Sequence, residues 1–190
     1  MKRMSYLFTA LLLLAGASLA NAQEMKAEEA PTVSHVLDHA ITSVEHEFVP
    51  AAEAMPEDKY SFAPTSGEFK GVRTFAQQIT HVAAANYEFG AAILGEKSPV
   101  EPGPQENGPD NLKSKADVVK LLKDSFVYLH KAVTMVNEQN EVTPMKNPWG
   151  KGTITRLQIA VLAAAHPYDH YGQMVEYLRM NGIVPPASRR

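Results

Sequence analysis

Two histidines, His166 and His170, lie four residues apart within a long stretch of helical periodicity that ends at Asn181-Gly182. On a helix, side chains at i and i+4 stand above one another on one face, so two imidazoles at this spacing can bind one small ion. A zinc-type site needs at least three protein ligands, and a two-histidine pair also arises by chance. The pair therefore predicts a metal site only if the fold supplies a third ligand.

The first 22 residues have the order of an export signal. Lys2 and Arg3 precede an apolar stretch that contains Leu11-Leu12-Leu13-Leu14, and Ala20-Asn21-Ala22 has the small residues of a cleavage site. The apolar part is too short for a membrane anchor. We therefore expect a mature chain of 168 residues that starts at Gln23, has no membrane span, and is periplasmic or extracellular.

The composition excludes several kinds of partner and chemistry. Loss of Lys2 and Arg3 leaves 16 of the 18 basic residues against 21 acidic ones, a formal charge of −5 at neutral pH. Such a chain repels a phosphate backbone, so we do not expect a nucleic-acid partner. The chain has no cysteine, which excludes disulfides, an acylated cysteine anchor and a protein thiol nucleophile. Any sulfur nucleophile must come from a small cofactor.

Four segments have the periodicity of amphipathic helices, and no strand alternation competes with them. We predict helices at about 34–55, 74–94, 114–136 and 153–180. Thr74-Phe75-Ala76-Gln77 matches a capping box, and Pro50 predicts a kink in the first helix. Four helices of this length in one chain predict an all-α fold, a four-helix bundle, whose core is a common place for a metal site.

Two loops separate these helices. Residues 95–113 contain four prolines and three glycines, which excludes regular structure and leaves a connection long enough to cross the length of a bundle. The second loop, at 139–152, contains the only tryptophan, Trp149.

Helical phase divides the histidines into two groups. His35, His39 and His46 lie opposite the apolar stripe of the first helix, so we predict that they face solvent. The His35/His39 pair thus has the same spacing as His166/His170 but a different setting. A weak surface metal site is the alternative for that pair.

His166 and His170 lie on the inward half of the fourth helix, in line with apolar residues. Buried imidazoles need partners, and the alternative to a metal is a pair of core histidines bonded to carbonyls or tyrosines. His81 lies in the second helix among small alanines that allow another helix to approach, so it is either a ligand or a boundary residue. His130 has no partner at ligand spacing, and we predict a boundary position for it.

Three stretches of the chain have a recognisable pattern. They are Tyr60-Ser61-Phe62-Ala63-Pro64, then Thr74-x6-His81, and above all the string from His166-x3-His170-Tyr171-Gly172-Gln173 to Pro185-Pro186. Together they resemble the DinB-like (DNA-damage-inducible protein) superfamily of metal-binding four-helix bundles, over the region from His35 to Pro186. The sequence departs from the family pattern at Phe69-Lys70-Gly71-Val72, where an aromatic residue is common, and at Pro167 between two ligands.

This resemblance implies an up-down-down-up bundle with a long crossover between the second and third helices. It also implies that His81, His166 and His170 hold one divalent ion. Three neutral imidazoles leave an open position, as in catalytic zinc sites, and zinc, nickel, iron(II) and manganese(II) all accept such ligands. An ion there would activate a bound water or thiol.

The family resemblance implies a thiol-dependent transferase or isomerase, but export to an oxidising compartment weakens that interpretation. The alternatives are a hydrolase that acts on a small ester, amide or lactone, and a non-enzymatic metal-binding or stress-response protein. We expect a small-molecule substrate of unspecified identity if the protein is an enzyme. A homodimer through an exposed bundle face is a common outcome for such folds.

Two residues are candidates for acid–base catalysis. Glu88 lies two helical turns from His81, and Tyr177 two turns from His170. The alternatives are an exposed glutamate and a tyrosine that packs in the bundle. Two glutamines, Gln78 and Gln173, each lie three residues from a ligand, where they could orient a bound water.

Overall fold

Four long helices make up most of the computed structural model, which describes residues 31–189. They are α1 (Val33–Ala54), α2 (Phe75–Leu94), α3 (Lys115–Val133) and α4 (Arg156–Met180). Two short strands, β1 (Met145–Lys146) and β2 (Thr153–Ile154), pair antiparallel between α3 and α4. The predicted export signal lies outside the described residues.

Side-chain caps fix where the helices begin. The side chains of Thr74, Ser114 and Thr155 each accept a hydrogen bond from the N–H three residues on, and the side chain there bonds back to complete a capping box. Thr32 caps α1 with its side chain. Gly95 ends α2 in the left-handed conformation, with φ 74°. The capping box predicted at Thr74 is confirmed.

The fourth helix begins three residues later than predicted, at Arg156. Thr153 and Ile154 pair with Met145–Lys146 as a small hairpin, and Thr155 serves as the cap. The sequence shows no strand alternation here, because two-residue strands are too short to produce it. The hairpin closes the loop that carries Trp149.

Helices α2 and α3 lie side by side and run in the same direction. Asn86 Nδ2 donates to Ser125 Oγ at 3.1 Å. One turn further along both helices, a Cβ added to Gly90 would lie 2.7 Å from the Tyr128 ring, so glycine allows the close approach there. Parallel neighbours need a connection as long as the helices themselves, and the 95–113 loop provides it.

Helices α1 and α4 run antiparallel to α2 and α3. Helix α1 is antiparallel to α3, since Asp38 near its start contacts His130, and Glu53 near its end contacts Lys123. Helix α4 is antiparallel to α2, because the start of α4 meets the end of α2. The directions are therefore up, down, down, up, as the family resemblance implied.

The apolar stripes of all four helices meet in one core. Phe48, Phe75, Phe126 and Leu178, one from each helix, are fully buried. Burial of each such side chain contributes roughly 1.5–3 kcal/mol to stability. Helices α1 and α2 both pack against α3 and α4, and lie at opposite corners of the bundle. No helix within residues 31–189 combines the length and apolarity needed to cross a bilayer.

Candidate metal centre

Three histidines meet in the seam between α2 and α4. The Nε2 atom of His166 lies 3.1 Å from His81 Nε2 and 3.2 Å from His170 Nε2. One ring nitrogen of each residue lies within 4.8 Å of the other two. Nitrogen ligands that bind one ion at ~2.1 Å are roughly 3.0–3.4 Å apart in octahedral or tetrahedral geometry. The spacing therefore fits three ligands of one divalent ion.

The other ring nitrogen of two of these histidines is held by an acceptor. His81 Nδ1 donates to the main-chain carbonyl of Glu106 in the crossover loop. His170 Nδ1 donates to Gln78 Oε1 at 2.6 Å. Both hydrogen bonds place the proton on Nδ1 and leave a lone pair on Nε2, the atom that faces the cluster. This is the tautomer that a metal ligand requires.

Gln78 is itself fixed by a short polar chain. Its Nε2 donates to Gln173 Oε1 at 2.9 Å, and Gln173 Nε2 donates to the Asp169 carbonyl at 3.4 Å. These contacts turn the Oε1 atom of Gln78 towards His170. The two glutamines were candidates to orient a bound water, and the structure shows that their contacts also hold the ring of His170.

His166 lies between the other two rings and differs from them. Its Nδ1 is buried without a hydrogen-bond partner among residues 31–189. Its Nε2 faces two nitrogens that both carry lone pairs, and a single Nε2 proton could satisfy only one of them. A divalent ion would accept all three lone pairs. The donor set therefore fits a metal better than a group of core histidines bonded to carbonyls or tyrosines.

Burial lowers the pKa of all three imidazoles. Desolvation is the largest cause, and with the neighbouring imidazoles it lowers the pKa of His166 to about 4 and that of His170 to about 3. The pKa of His81 moves in the same direction for the same main cause, opposed by its hydrogen bond to Glu106. The three rings are therefore neutral at pH 7, the form that coordinates metals.

A cavity of about 290 Å³ opens beside His81 and His166. Two aromatic side chains line it, Phe89 and Trp149, whose rings meet edge-on with centroids 5.4 Å apart. Phe89 also packs against the ring of His166, with centroids 5.6 Å apart. The sequence did not predict either aromatic residue as part of the site. Trp149 lies on a loop without periodicity, so only the folded hairpin places it there.

The model of the DinB superfamily matches residues 40–174. The chain belongs to the DinB superfamily. The match includes all three histidines of the cluster and the whole of α2 and α3, together with α1 from Ala40 onward and α4 as far as Met174. A comparison with curated proteins finds no match.

Three solved structures with a similar fold come from Bacillus subtilis and Enterococcus faecalis. YjoA, a DinB-like protein of Bacillus subtilis, has a TM-score of 0.61 and 18% identity, over 81% of this chain and 99% of that one. A conserved protein of Enterococcus faecalis has a TM-score of 0.60 and 13% identity, over 80% and 98%. YfiT of B. subtilis, described as "a probable metal-dependent hydrolase with an unusual four-helix bundle topology", has a TM-score of 0.56 and 16% identity, over 84% and 95%. At these identities the similarity shows the fold.

In this DinB-superfamily chain, the two acid–base candidates have different surroundings. Glu88 lines the cavity beside the histidine cluster. The Tyr177 hydroxyl donates to the Arg73 carbonyl at 3.0 Å, and its ring packs edge-on against Phe62 with centroids 5.6 Å apart. Tyr177 therefore joins α4 to the segment that leads into α2, while Glu88 lies in the wall of the cavity beside His81 and His166.

The remaining four histidines lie away from the cluster. Three of them are exposed on α1, as their helical phase predicts: His35, His39 and His46. The fourth, His130, joins α3 to α1, with Nδ1 at 2.6 Å from Asp38 Oδ1 and Nε2 at 3.1 Å from Glu45 Oε2. His130 was expected to have no partner at ligand spacing along its own helix. Its two carboxylate partners come from another helix, where spacing within α3 could not reveal them.

Proposed function

We propose that this chain is a metal-dependent enzyme in which His81, His166 and His170 hold one divalent ion that activates a nucleophile. The observation that carries the proposal is the convergence of three neutral Nε2 atoms at 3.1 and 3.2 Å. The description of YfiT as metal-dependent supports it. Zinc, nickel, iron(II) and manganese(II) are all suited to this ligand set.

The surrounding residues suit a reactive site. The Glu106 carbonyl and the Gln78 amide orient two of the rings, which keeps the ligand atoms in place before an ion arrives. Three protein ligands leave at least one position open, and the cavity beside His81 and His166 gives a substrate access to it. A divalent ion held there supplies Lewis acidity and lowers the pKa of a nucleophile bound to it.

We further propose that the nucleophile is water and that the protein hydrolyses a small ester, amide or lactone. The chain has no thiol of its own, and the signal-like segment at 1–22 supports export to a compartment where reduced small thiols are scarce. Transfer of a small thiol is the second enzymatic candidate, favoured by the family resemblance. A role in metal binding without catalysis is the alternative outside enzymes.

The chain offers a matched pair of variants to test this function. His166→Ala/His170→Ala removes the pair on α4, while His35→Ala/His39→Ala removes a pair of the same spacing from the exposed face of α1. We expect one equivalent of zinc in the wild type and the α1 variant, and none in the α4 variant, by mass spectrometry of the metal after dialysis. The site is refuted if the α4 variant keeps its full zinc content.

Catalysis is tested on the same zinc-loaded proteins. We expect hydrolysis of at least one member of a panel of small esters, amides and lactones, lost in the α4 variant and kept in the α1 variant. If turnover requires an added small thiol, the reaction is thiol transfer and hydrolysis is refuted. Stoichiometric zinc without any turnover would favour the non-enzymatic role.

A further inference from the structure

The cavity beside the histidine cluster has one acidic side. Glu88 and Glu106 both line it, and the lining residues include no lysine or arginine. Neither carboxylate forms an ion pair with a basic side chain in the part of the chain that the structure describes. The aromatic rings of Phe89 and Trp149 complete the wall. Carboxylates beside aromatic faces are the surroundings in which proteins bind organic cations.

The charges around Glu88 support this view. Burial raises the pKa of the Glu88 carboxyl, and the nearby carboxylates of Glu106 and Glu101 raise it further, while the Trp149 side chain acts in the opposite direction. Glu101 forms an exposed ion pair with Lys97 at 3.0 Å, so solvent and the lysine screen its charge. Glu88 and Glu106 thus repel each other, and a bound cation would relieve that repulsion.

The guanidinium of Arg73 affects the histidines but does not lie in the acidic cavity. Arg73 contributes to the lowered pKa of His166 and His170, but it lines a different cavity, together with Gln78 and Gln173. Its guanidinium is bonded to Asn107 Oδ1 at 2.8 Å. The acidic cavity therefore receives no cation from Arg73.

We propose that the cavity selects a substrate with an organic cation, such as an amine, received by Glu88 and Glu106 against the Trp149 ring. The group to be attacked then lies at the other end of the cavity, beside His81 and His166. This inference rests on the proposed function, since it assigns the substrate class of the same site. It gives Glu88 a part in recognition, whether or not it also moves a proton.

Trp149 provides a direct reporter of binding, because it is the only tryptophan in the chain and lines the cavity. The probes are benzyltrimethylammonium, which cannot ligate a metal, and the neutral benzyl alcohol, titrated into zinc-loaded protein at low salt. We expect the cation to change the tryptophan fluorescence with at least ~10-fold higher affinity than the alcohol, since a cation–π contact with Trp149 and the charges of two carboxylates both favour the cation. Added sodium chloride should weaken the binding of the cation and leave the binding of the alcohol unchanged.

Variants of equal size test the role of the carboxylates. Glu88→Gln/Glu106→Gln should remove the preference for the cation, and the exposed Glu68→Gln should keep it. Equal affinity for both probes in the wild type, or an undiminished preference in the double variant, would overturn the inference. Circular dichroism and zinc content of the same samples show whether the variants are folded and loaded.

The two proposals fail in different ways. A wild-type protein that binds one zinc but does not distinguish the probes refutes the substrate class and leaves the metal site standing. A protein that prefers the cation but binds no zinc refutes the proposed function, and the cavity is then a binding site for organic cations without metal chemistry.

Discussion

Gln78 determines which nitrogen of His170 is free. Its Oε1 accepts the Nδ1 proton at 2.6 Å, so the Nε2 lone pair stays directed at the cluster. We expect Gln78→Leu to weaken zinc binding by roughly 10–100-fold, the usual effect of losing a group that orients a metal ligand. Gln78→Glu keeps an acceptor and should retain most of the affinity. The measurement is competition with a chromophoric chelator, and equal affinities for Leu and Glu variants would contradict this role.

At the residue scale, the sequence predicted more about the three clustered histidines than about the groups that hold them. Spacing placed His166 and His170 on one helical face, and family resemblance added His81. The acceptor for His81 is a main-chain carbonyl in a loop, at Glu106, which no residue type marks in advance. The position of Trp149 depends likewise on a hairpin that only the folded chain forms.

The crossover loop is the element that holds His81, and its backbone is tightly constrained. Gln105 and Glu106 have positive φ angles of 56° and 58°, which cost non-glycine residues roughly 1–2 kcal/mol each. Gly108 has φ +80°, and a Cβ there would lie 2.5 Å from the Thr80 carbonyl oxygen on α2. The loop therefore lies directly on the helix that carries His81.

We expect Gly108→Ala to displace the loop and the Glu106 carbonyl, and so to weaken zinc binding. It should also lower the free energy of unfolding by more than the ~1–2 kcal/mol of a left-handed alanine. Gly71→Ala is the control, since Gly71 has φ +79° but nothing within 4 Å of an added Cβ. Gly71→Ala should lower the free energy of unfolding only by the cost of a left-handed alanine, and it should bind zinc normally. Urea unfolding of the metal-free proteins and zinc titration measure the two effects, and identical losses in both variants would contradict the steric argument.

At the element scale, helix boundaries were predictable where caps were present in the sequence. Thr74 and Ser114 each begin a capping box, and the observed helices start at the next residue. The fourth helix was predicted too early because Thr153 and Thr155 are both acceptable caps, and the choice between them depends on strand pairing with Met145–Lys146. Tertiary contacts determine which threonine caps the helix, and residue spacing along the chain does not show those contacts.

For the whole molecule, burial of the three histidines makes stability depend on pH. The folded chain holds them with lowered pKa values, about 4 for His166 and about 3 for His170, while the unfolded chain has the ordinary value of 6.5. Between these values the unfolded state binds more protons, so stability is present above pH 6.5 and is lost as the pH falls. We expect metal-free protein to lose stability from pH 7 to pH 4.5 more steeply than a variant with glutamine at positions 81, 166 and 170. Urea unfolding across this range measures both slopes, and equal slopes would show that these rings do not titrate as described.

We also propose that the chain is exported, which is tested on the whole molecule. The proposed cleavage site follows Ala22, so mature protein should begin at Gln23. Amino-terminal sequencing of protein from a periplasmic or culture fraction measures this. Intact Met1 in that fraction would contradict the proposal.

His81 and His166 are 85 residues apart in the chain, and the fold brings their Nε2 atoms to 3.1 Å from one another. An ion bound to both would tie distant parts of the backbone into a closed ring, which reduces the chain entropy of the unfolded state for as long as the ion stays attached. Unlike a disulfide, this tie requires no oxidant, and a chelator or acid can open it. In a chain without cysteine, the supply of metal in the surroundings would then set how long the folded protein resists proteolysis.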